Sequence, residues 1–259
     1  MTDLRVRRVV HASTVIEFGP HAVLTDPWFS QRYGHRWGEP LGVALTELPH
    51  LSGVVVSHKD YDHYDMQTFA AYPDKGVPMV VRRGSAQTAQ NVGFTNVTEL
   101  EPWESVRLGP ITVTATPAKH KEELGVPQNT YSLQCEGFTV FFGGDTLLIR
   151  EFEEVARRFP NIDLALLPIS GLTIRPLGNK RVVMDANEAA QLTALLKPKV
   201  VVPIHYRYQA ALYRRPLIRY ERDPSAFAKR VEELVPQVDV RILVPGEALH
   251  VNPYLENAA

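Results

Sequence analysis

Ser57-His58-Lys59-Asp60-Tyr61-Asp62-His63-Tyr64-Asp65 follows without a break on the apolar run Gly53-Val54-Val55-Val56. A short β-branched run ending at a polar cluster reads as a buried strand that stops at a sheet edge. Two histidines and three carboxylates within eight residues cannot lie in a core, because crowded carboxylates repel unless water or a cation neutralises them. A loop after a strand lets alternate side chains converge on one point, and imidazole with carboxylate suits divalent zinc, iron or manganese. Three more residues sit just past β-rich stretches: His120 after 111–119, Asp145 after 139–144, and His205 after 200–204. Strand ends in a sheet fold gather along one edge, so these residues are expected to meet the 57–65 cluster.

Working outward, the chain alternates strands with a few helices. Strands are expected at 4–10, 13–18, 22–25, 53–57, 77–81, 96–100, 105–108, 111–116, 130–134, 138–142, 163–167, 199–203 and 239–243. Helices are expected at 66–72 capped by Asp65, 85–91, 149–158, 185–196 and 224–234, with Glu188 in capping-box position to Asp185. This order suits sheets inside and helices outside, in one domain over 1–259. Two segments fit no regular element and read as loop insertions: 29–50, with Tyr33, His35, Arg36 and Trp37, and 206–222, with four tyrosines and five arginines. Long irregular loops in a compact chain often carry function.

The 259 residues hold 28 Lys plus Arg against 29 Asp plus Glu, a net charge of −1, which argues against broad nucleic-acid binding. No run of about 18 apolar residues exists, so no membrane span is expected. The basic N-terminus has no apolar signal-like core, so a cytoplasmic protein is expected. One cysteine, Cys135, excludes an intramolecular disulfide and a Cys-based zinc finger. Ser170, in Pro168-Ile169-Ser170-Gly171, lacks nucleophile-elbow spacing.

The set His58, Asp62, His63, His120, Asp145 in Gly144-Asp145-Thr146, and His205 in Pro203-Ile204-His205-Tyr206 resembles the signature of the metallo-β-lactamase superfamily. His11-Ala12-Ser13, Thr25-Asp26-Pro27-Trp28, Gly178-Asn179, Met184-Asp185-Ala186 and Pro245-Gly246-Glu247 are similar to a branch holding L-ascorbate-6-phosphate lactonase-like proteins and N-acylphosphatidylethanolamine phospholipase D. The resemblance spans roughly 4–252. It implies an αββα four-layer sandwich with a two-metal site at one edge. By position, His58 and His120 would belong to the first metal, Asp62, His63 and His205 to the second, and Asp145 would bridge them. Asp62 and Asp145 are the candidate catalytic carboxylates. A metal-held hydroxide would attack carbon or phosphorus, and the metals would stabilise the developing charge.

One residue departs from the family pattern: its second histidine is Asp60 here. If Asp60 ligates the first metal, it hardens that site and adds charge, leaving manganese and iron open beside zinc. A carboxylate there also resembles the flavodiiron branch, whose flavodoxin domain this chain lacks. The alternative is that Asp60 points away and only the second site binds tightly. Asp26 is expected to orient the metal loop from behind the ligands, and His11 to lie either near the site or in an ordinary strand. His21, His35, His50 and His250 read as surface or loop residues.

The segment after His205 is expected to form a cavity mouth, with Tyr206, Arg207 and Arg214 touching an anionic substrate through guanidinium forks; its plain alternatives are a solvated face or a subunit contact. The function expected is a metal-dependent hydrolase of a small anionic ester, lactone or phosphodiester, using one or two divalent ions. A β-lactamase proper is not expected without a signal peptide. The rivals are an iron-type redox or oxygen-handling protein on the same fold and a non-catalytic metal-binding protein. A homo-oligomer is left open.

Overall fold

The computed structural model describes residues 3–32, 34–121 and 125–251; Tyr33 and the last residues of the expected 1–259 domain lie outside them. Two seven-stranded sheets form its middle. The first runs in the order Ala248–Val251, Leu4–Val10, Ser13–Phe18, His21–Thr25, Leu51–Val55, Met79–Arg82, Val97–Leu100. It is antiparallel up to His21–Thr25 and parallel from there. The second runs Asp239–Val240, Val200–Ile204, Leu164–Pro168, Phe138–Phe142, Thr130–Cys135, Ile111–Thr116, Ser105–Leu108. Its first four strands are parallel and the rest antiparallel.

Side chains alternate faces along a strand, and three buried clusters follow from that period. Val55, Val140, Phe142, Leu164, Leu166, Val200 and Val202 pack between the sheets. Their neighbours Val54 and Val56 face the layer holding the helices Met66–Phe69 and Ala86–Gln90, through Phe69 and Ala89. Phe141, Ala165, Leu167 and Val201 face the helices Phe152–Arg158, Ala186–Leu196 and Ser225–Leu234 on the other side. Helix, sheet, sheet, helix is the four-layer αββα order expected.

Local signals held in part. Asp65 caps its helix by accepting from the Thr68 N–H, and Asp185 does so from the Glu188 N–H. The capping box does not close, because the Glu188 carboxylate pairs with Arg181 instead. The strand expected at 239–243 is only Asp239–Val240, and the helix expected at 66–72 stops at Phe69. The two segments expected to be irregular are partly ordered. His35–Trp37 pairs antiparallel with Tyr208–Ala210, and Ile218–Arg219 pairs with Thr173–Ile174. Strands of two or three residues leave no readable period in a sequence, so this pairing had no local signal.

The connections leave one sheet edge crowded. Leu51–Val55, Ile111–Thr116, Phe138–Phe142, Leu164–Pro168 and Val200–Ile204 all deliver polar residues just past their C-terminal ends, where open α/β sheets bind ligands. Gly144 is needed there: with φ +52°, a Cβ on it would lie 2.6 Å from the Ser57 Cβ, so only glycine lets the Asp145 turn approach the histidine loop.

Candidate metal centre

Seven side chains converge on that edge. His58, Asp60, Asp62 and His63 come from the loop after Leu51–Val55; His120, Asp145 and His205 each follow a strand of the second sheet. His11, at the turn between Leu4–Val10 and Ser13–Phe18, joins them. Their ligand atoms form three groups, each within 4.8 Å: His58, Asp60 and His120; His11, Asp62, His63 and His205; and His58, His63 and Asp145. Several carriers sit on strained backbone: His11, Asp26 and His205 have φ of 56°, 36° and 55°. Such conformations cost roughly 1–3 kcal/mol each and persist only where the surroundings over-determine them.

Four imidazoles are locked the same way. His58 donates from Nδ1 to Ser57 Oγ at 2.9 Å, His63 to Asp26 Oδ2 at 2.6 Å and His120 to the Val182 carbonyl at 2.7 Å, while His205 Nδ1 shares a hydrogen bond of 3.0 Å with Ser170 Oγ. Asp26, fully buried, also accepts from the Ser57 N–H and Oγ at 2.7 Å each. Fixing Nδ1 sets the tautomer and leaves the Nε2 lone pair as the ligand atom. All four Nε2 atoms are buried and lack hydrogen-bond partners, as do Asp145 Oδ1 and both ring nitrogens of His11. Orphaned polar atoms in such number are costly unless something occupies the space between them.

The spacing suits ions. Two ligands about 2.0–2.1 Å from one tetrahedral ion lie about 3.3–3.4 Å apart. His58 Nε2 is 3.4 Å from Asp60 Oδ2, His63 Nε2 is 3.4 Å from Asp145 Oδ2, and His11 Nε2 is 3.6 Å from Asp62 Oδ2. Asp145 Oδ2 also lies 2.9 Å from His205 Nε2 and 3.8 Å from His120 Nε2, so it stands between the group with His205 and the group with His120. The donor set therefore fits divalent transition metal, with imidazole and carboxylate atoms at ligand spacing.

Burial and the crowding of charges shift these groups in different directions. Burial works against ionised Asp145 and Asp62, yet the surrounding imidazoles hold both carboxyls well below the usual range. Burial pushes His120 down to about 4, and burial with the neighbouring His205 pushes His11 down to about 3. Burial opposes a charged His63, but Asp145 and Asp26 raise it well above its ordinary value. Lys121 donates to Asp60 Oδ2, so Asp60 is shared between a lysine ammonium and the His58–His120 pair.

A cavity of about 350 Å³ opens onto the centre. Asp60, Asp62 and His205 line it on one side; Arg32, Lys59, Lys121 and Arg214 add positive charge, and Leu172, Ile174 and Ile218 an apolar wall. Of the three residues expected to touch substrate, Arg214 is there. Its Nη1 donates to His35 Nε2 at 3.0 Å and to the Gly34 carbonyl at 3.2 Å. Tyr206 is not: it is 1% exposed, packed in the cluster on the outer face of the second sheet, with Arg8 over its ring. Arg207 is exposed and absent from the lining, because the left-handed backbone at His205 breaks the strand period that would have put residues 205 and 207 on one face. Several lining residues went unread, His35, Lys121 and Ser170 among them. His35, expected as a surface or loop residue, places Nδ1 3.7 Å from Asp62 Oδ1, and only the ribbon with Tyr208–Ala210 brings it there. Lys121 had a signal, its place next to His120. Ser170, without nucleophile spacing, orients His205, and its place just past Leu164–Pro168 was the available clue.

Comparison with known proteins fits this geometry. The pattern of the beta-lactamase superfamily domain matches residues 21–206. A "UPF0173 metal-dependent hydrolase" of Pyrobaculum islandicum is 30% identical over 269 aligned positions, covering 96% of this chain and all of that protein. Among solved structures, Igni18, described as a novel metallo hydrolase from Ignicoccus hospitalis, superposes with a TM-score of 0.73 at 22% identity, over 96% of this chain and 99% of its own. CmlA, a diiron β-hydroxylase from Streptomyces venezuelae, superposes with a TM-score of 0.71 at 16% identity, over 97% of this chain and 54% of its own. At those identities the two structures speak for the fold alone.

Proposed function

Because this chain belongs to the β-lactamase superfamily and, within it, to the UPF0173 metal-dependent hydrolases, we propose that it is a metal-dependent hydrolase of small anionic esters, lactones or phosphodiesters. The observation that carries the reading is the set of buried Nε2 atoms of His58, His63, His120 and His205 gathered around Asp145, beside a cavity with cationic walls that Asp60, Asp62 and His205 line. His58, Asp60 and His120 would hold one ion, Asp62, His63 and His205 the other, with Asp145 between. The imidazole-rich set suits zinc, and Asp60 leaves manganese and iron in play. Bound divalent metal supplies Lewis acidity and a water acidic enough to be a nucleophile at neutral pH.

The chain does the rest. Ser57, Asp26, Val182 and Ser170 hold the rings so that Nε2 faces inward. Asp62 and Asp145 would supply carboxylate ligands and the negative charge that offsets a bound cation. Arg32, Lys59, Lys121 and Arg214 draw an anion to the mouth, where a guanidinium fork can hold its charged group away from the reacting bond. Leu172, Ile174 and Ile218 receive the uncharged part and keep water out.

Elemental analysis of protein purified without chelator should find about one to two transition-metal equivalents per chain. Metal-stripped protein should regain hydrolysis on reloading, and should favour an anionic ester over a neutral one with the same leaving group. Less than about a tenth of an equivalent after reloading, or no turnover of any ester, lactone or phosphodiester by the loaded protein, overturns the proposal. A second reading, an iron protein handling oxygen, draws on Asp60 beside His58 and His120 and on the shared fold of the diiron CmlA. Zinc as the resident metal excludes it, since zinc is redox-silent.

A further inference from the structure

We infer that His11 is itself a metal ligand, completing the second ion's set with Asp62, His63 and His205. This rests on the metal-dependent reading above and assigns a residue that the superfamily signature leaves out. His11 is 1% exposed, and neither ring nitrogen has a hydrogen-bond partner among the described residues. Its ring lies 3.9 Å from that of His205 and 5.4 Å from that of His63, centre to centre, and Nε2 sits 3.6 Å from Asp62 Oδ2. That last distance is long for a hydrogen bond and near the separation of two ligands on one ion. The backbone is built to hold the ring there. The Glu39 carboxylate accepts from the His11 N–H at 3.3 Å, the His11 carbonyl accepts from the His205 N–H at 3.2 Å, and the residue is kept at φ 56°. Trp28 packs edge-on against the ring, 5.2 Å between centres, and closes its far side. Strain and tethering fix the ring against Asp62, His63 and His205, and a buried imidazole left without any other partner there is costly unless something occupies the space between them.

The inference makes the two ions unequal. The second has His11, Asp62, His63 and His205 besides Asp145. The first has His58, Asp60 and His120, with Lys121 competing for Asp60. The second is the tighter site, and the first is the one that empties first.

The test uses the whole chain and two probes. In wild-type protein loaded with a magnetically active cadmium isotope, the His11 ring nitrogen should show scalar coupling to the metal. His11→Asn keeps a residue that tolerates left-handed backbone and removes the imidazole. It should weaken the tighter zinc site by more than the roughly 10–100-fold typical of losing a residue that only orients a ligand. It should also shrink the rise in unfolding temperature on zinc binding, while the metal-free protein melts as wild type does. Cadmium coupling to the other histidines but not to His11, or unchanged zinc affinity in His11→Asn, overturns the inference and leaves the metal-dependent reading standing. A fall confined to metal-free stability shows that His11 is only packed, and also overturns it. Wild-type protein that takes up no metal removes both.

Discussion

Asp26 shows how much of the centre depends on residues that touch no substrate. One fully buried carboxylate accepts from the Ser57 N–H, from Ser57 Oγ and from His63 Nδ1. Asn is nearly the same shape but offers one acceptor where three donors converge, and its amide would face a donor. Asp26→Asn should therefore weaken metal binding about 10–100-fold and cost about 1–3 kcal/mol of stability from the unsatisfied donors; chelator competition and denaturant melts measure the two. At Asp60 the expectation concerns competition. Lys121→Met frees the carboxylate from its ammonium and should tighten the first site, while Asp60→Ala should weaken that site and spare the second. Sequential zinc titration reads both; an unchanged first site in both variants would make Asp60 a bystander. The sequence marked Asp60 as the departure from the family pattern, but its lysine partner comes from the opposite sheet and became visible only in three dimensions.

Among the elements, the ribbon of His35–Trp37 and Tyr208–Ala210 decides what reaches the centre. It forms from two segments far apart in the chain, and it carries His35 to Asp62 and Tyr208 to the cavity wall. Arg214 braces it through Gly34, His35 and the Tyr208 hydroxyl. Arg214→Ala should raise KM for an anionic substrate roughly ten- to hundredfold, from the loss of about 1.5–3 kcal/mol of charge-assisted contact, with a smaller change for a neutral analogue. Arg214→Lys should recover part of the difference. Arg207→Ala, on an exposed side chain outside the cavity, should leave both substrates nearly unchanged. Equal losses on both substrates in Arg214→Ala would mean that it only supports the ribbon. Five arginines in 206–222 were legible as a positive stretch. Which of them faces inward was not, because that depends on the pairing of Tyr208–Ala210 with His35–Trp37, a partner far away in the chain.

Across the whole molecule, the same edge that concentrates the ligands concentrates buried charge and orphaned nitrogens, so folding and metal binding are coupled. An ion present at about a thousand times its dissociation constant stabilises the native state by about 4 kcal/mol. For a chain of this size each kcal/mol moves the midpoint by about 2–4 °C. Chelation should thus lower the unfolding temperature by on the order of 10 °C, and calorimetry with and without chelator would show it. No helix among the described residues is long and apolar enough to cross a membrane.

The sequence by itself determined the layered fold and named most of the side chains that meet at the sheet edge. Strand alternation encodes which face each residue takes, and a polar residue placed directly after an apolar strand has little choice but the sheet edge. His58, Asp62, His63, His120, Asp145 and His205 could be named because each follows such a strand or lies in the loop after one. Only the tertiary structure decided the remainder: that His11 lies against Asp62, His63 and His205, that His35 and Lys121 reach the carboxylates, and that Tyr206 turns into the core while Arg214 turns to the cavity. Those placements come from contacts between residues distant in the chain, set by sheet packing and by two- and three-residue pairings too short to leave a period behind.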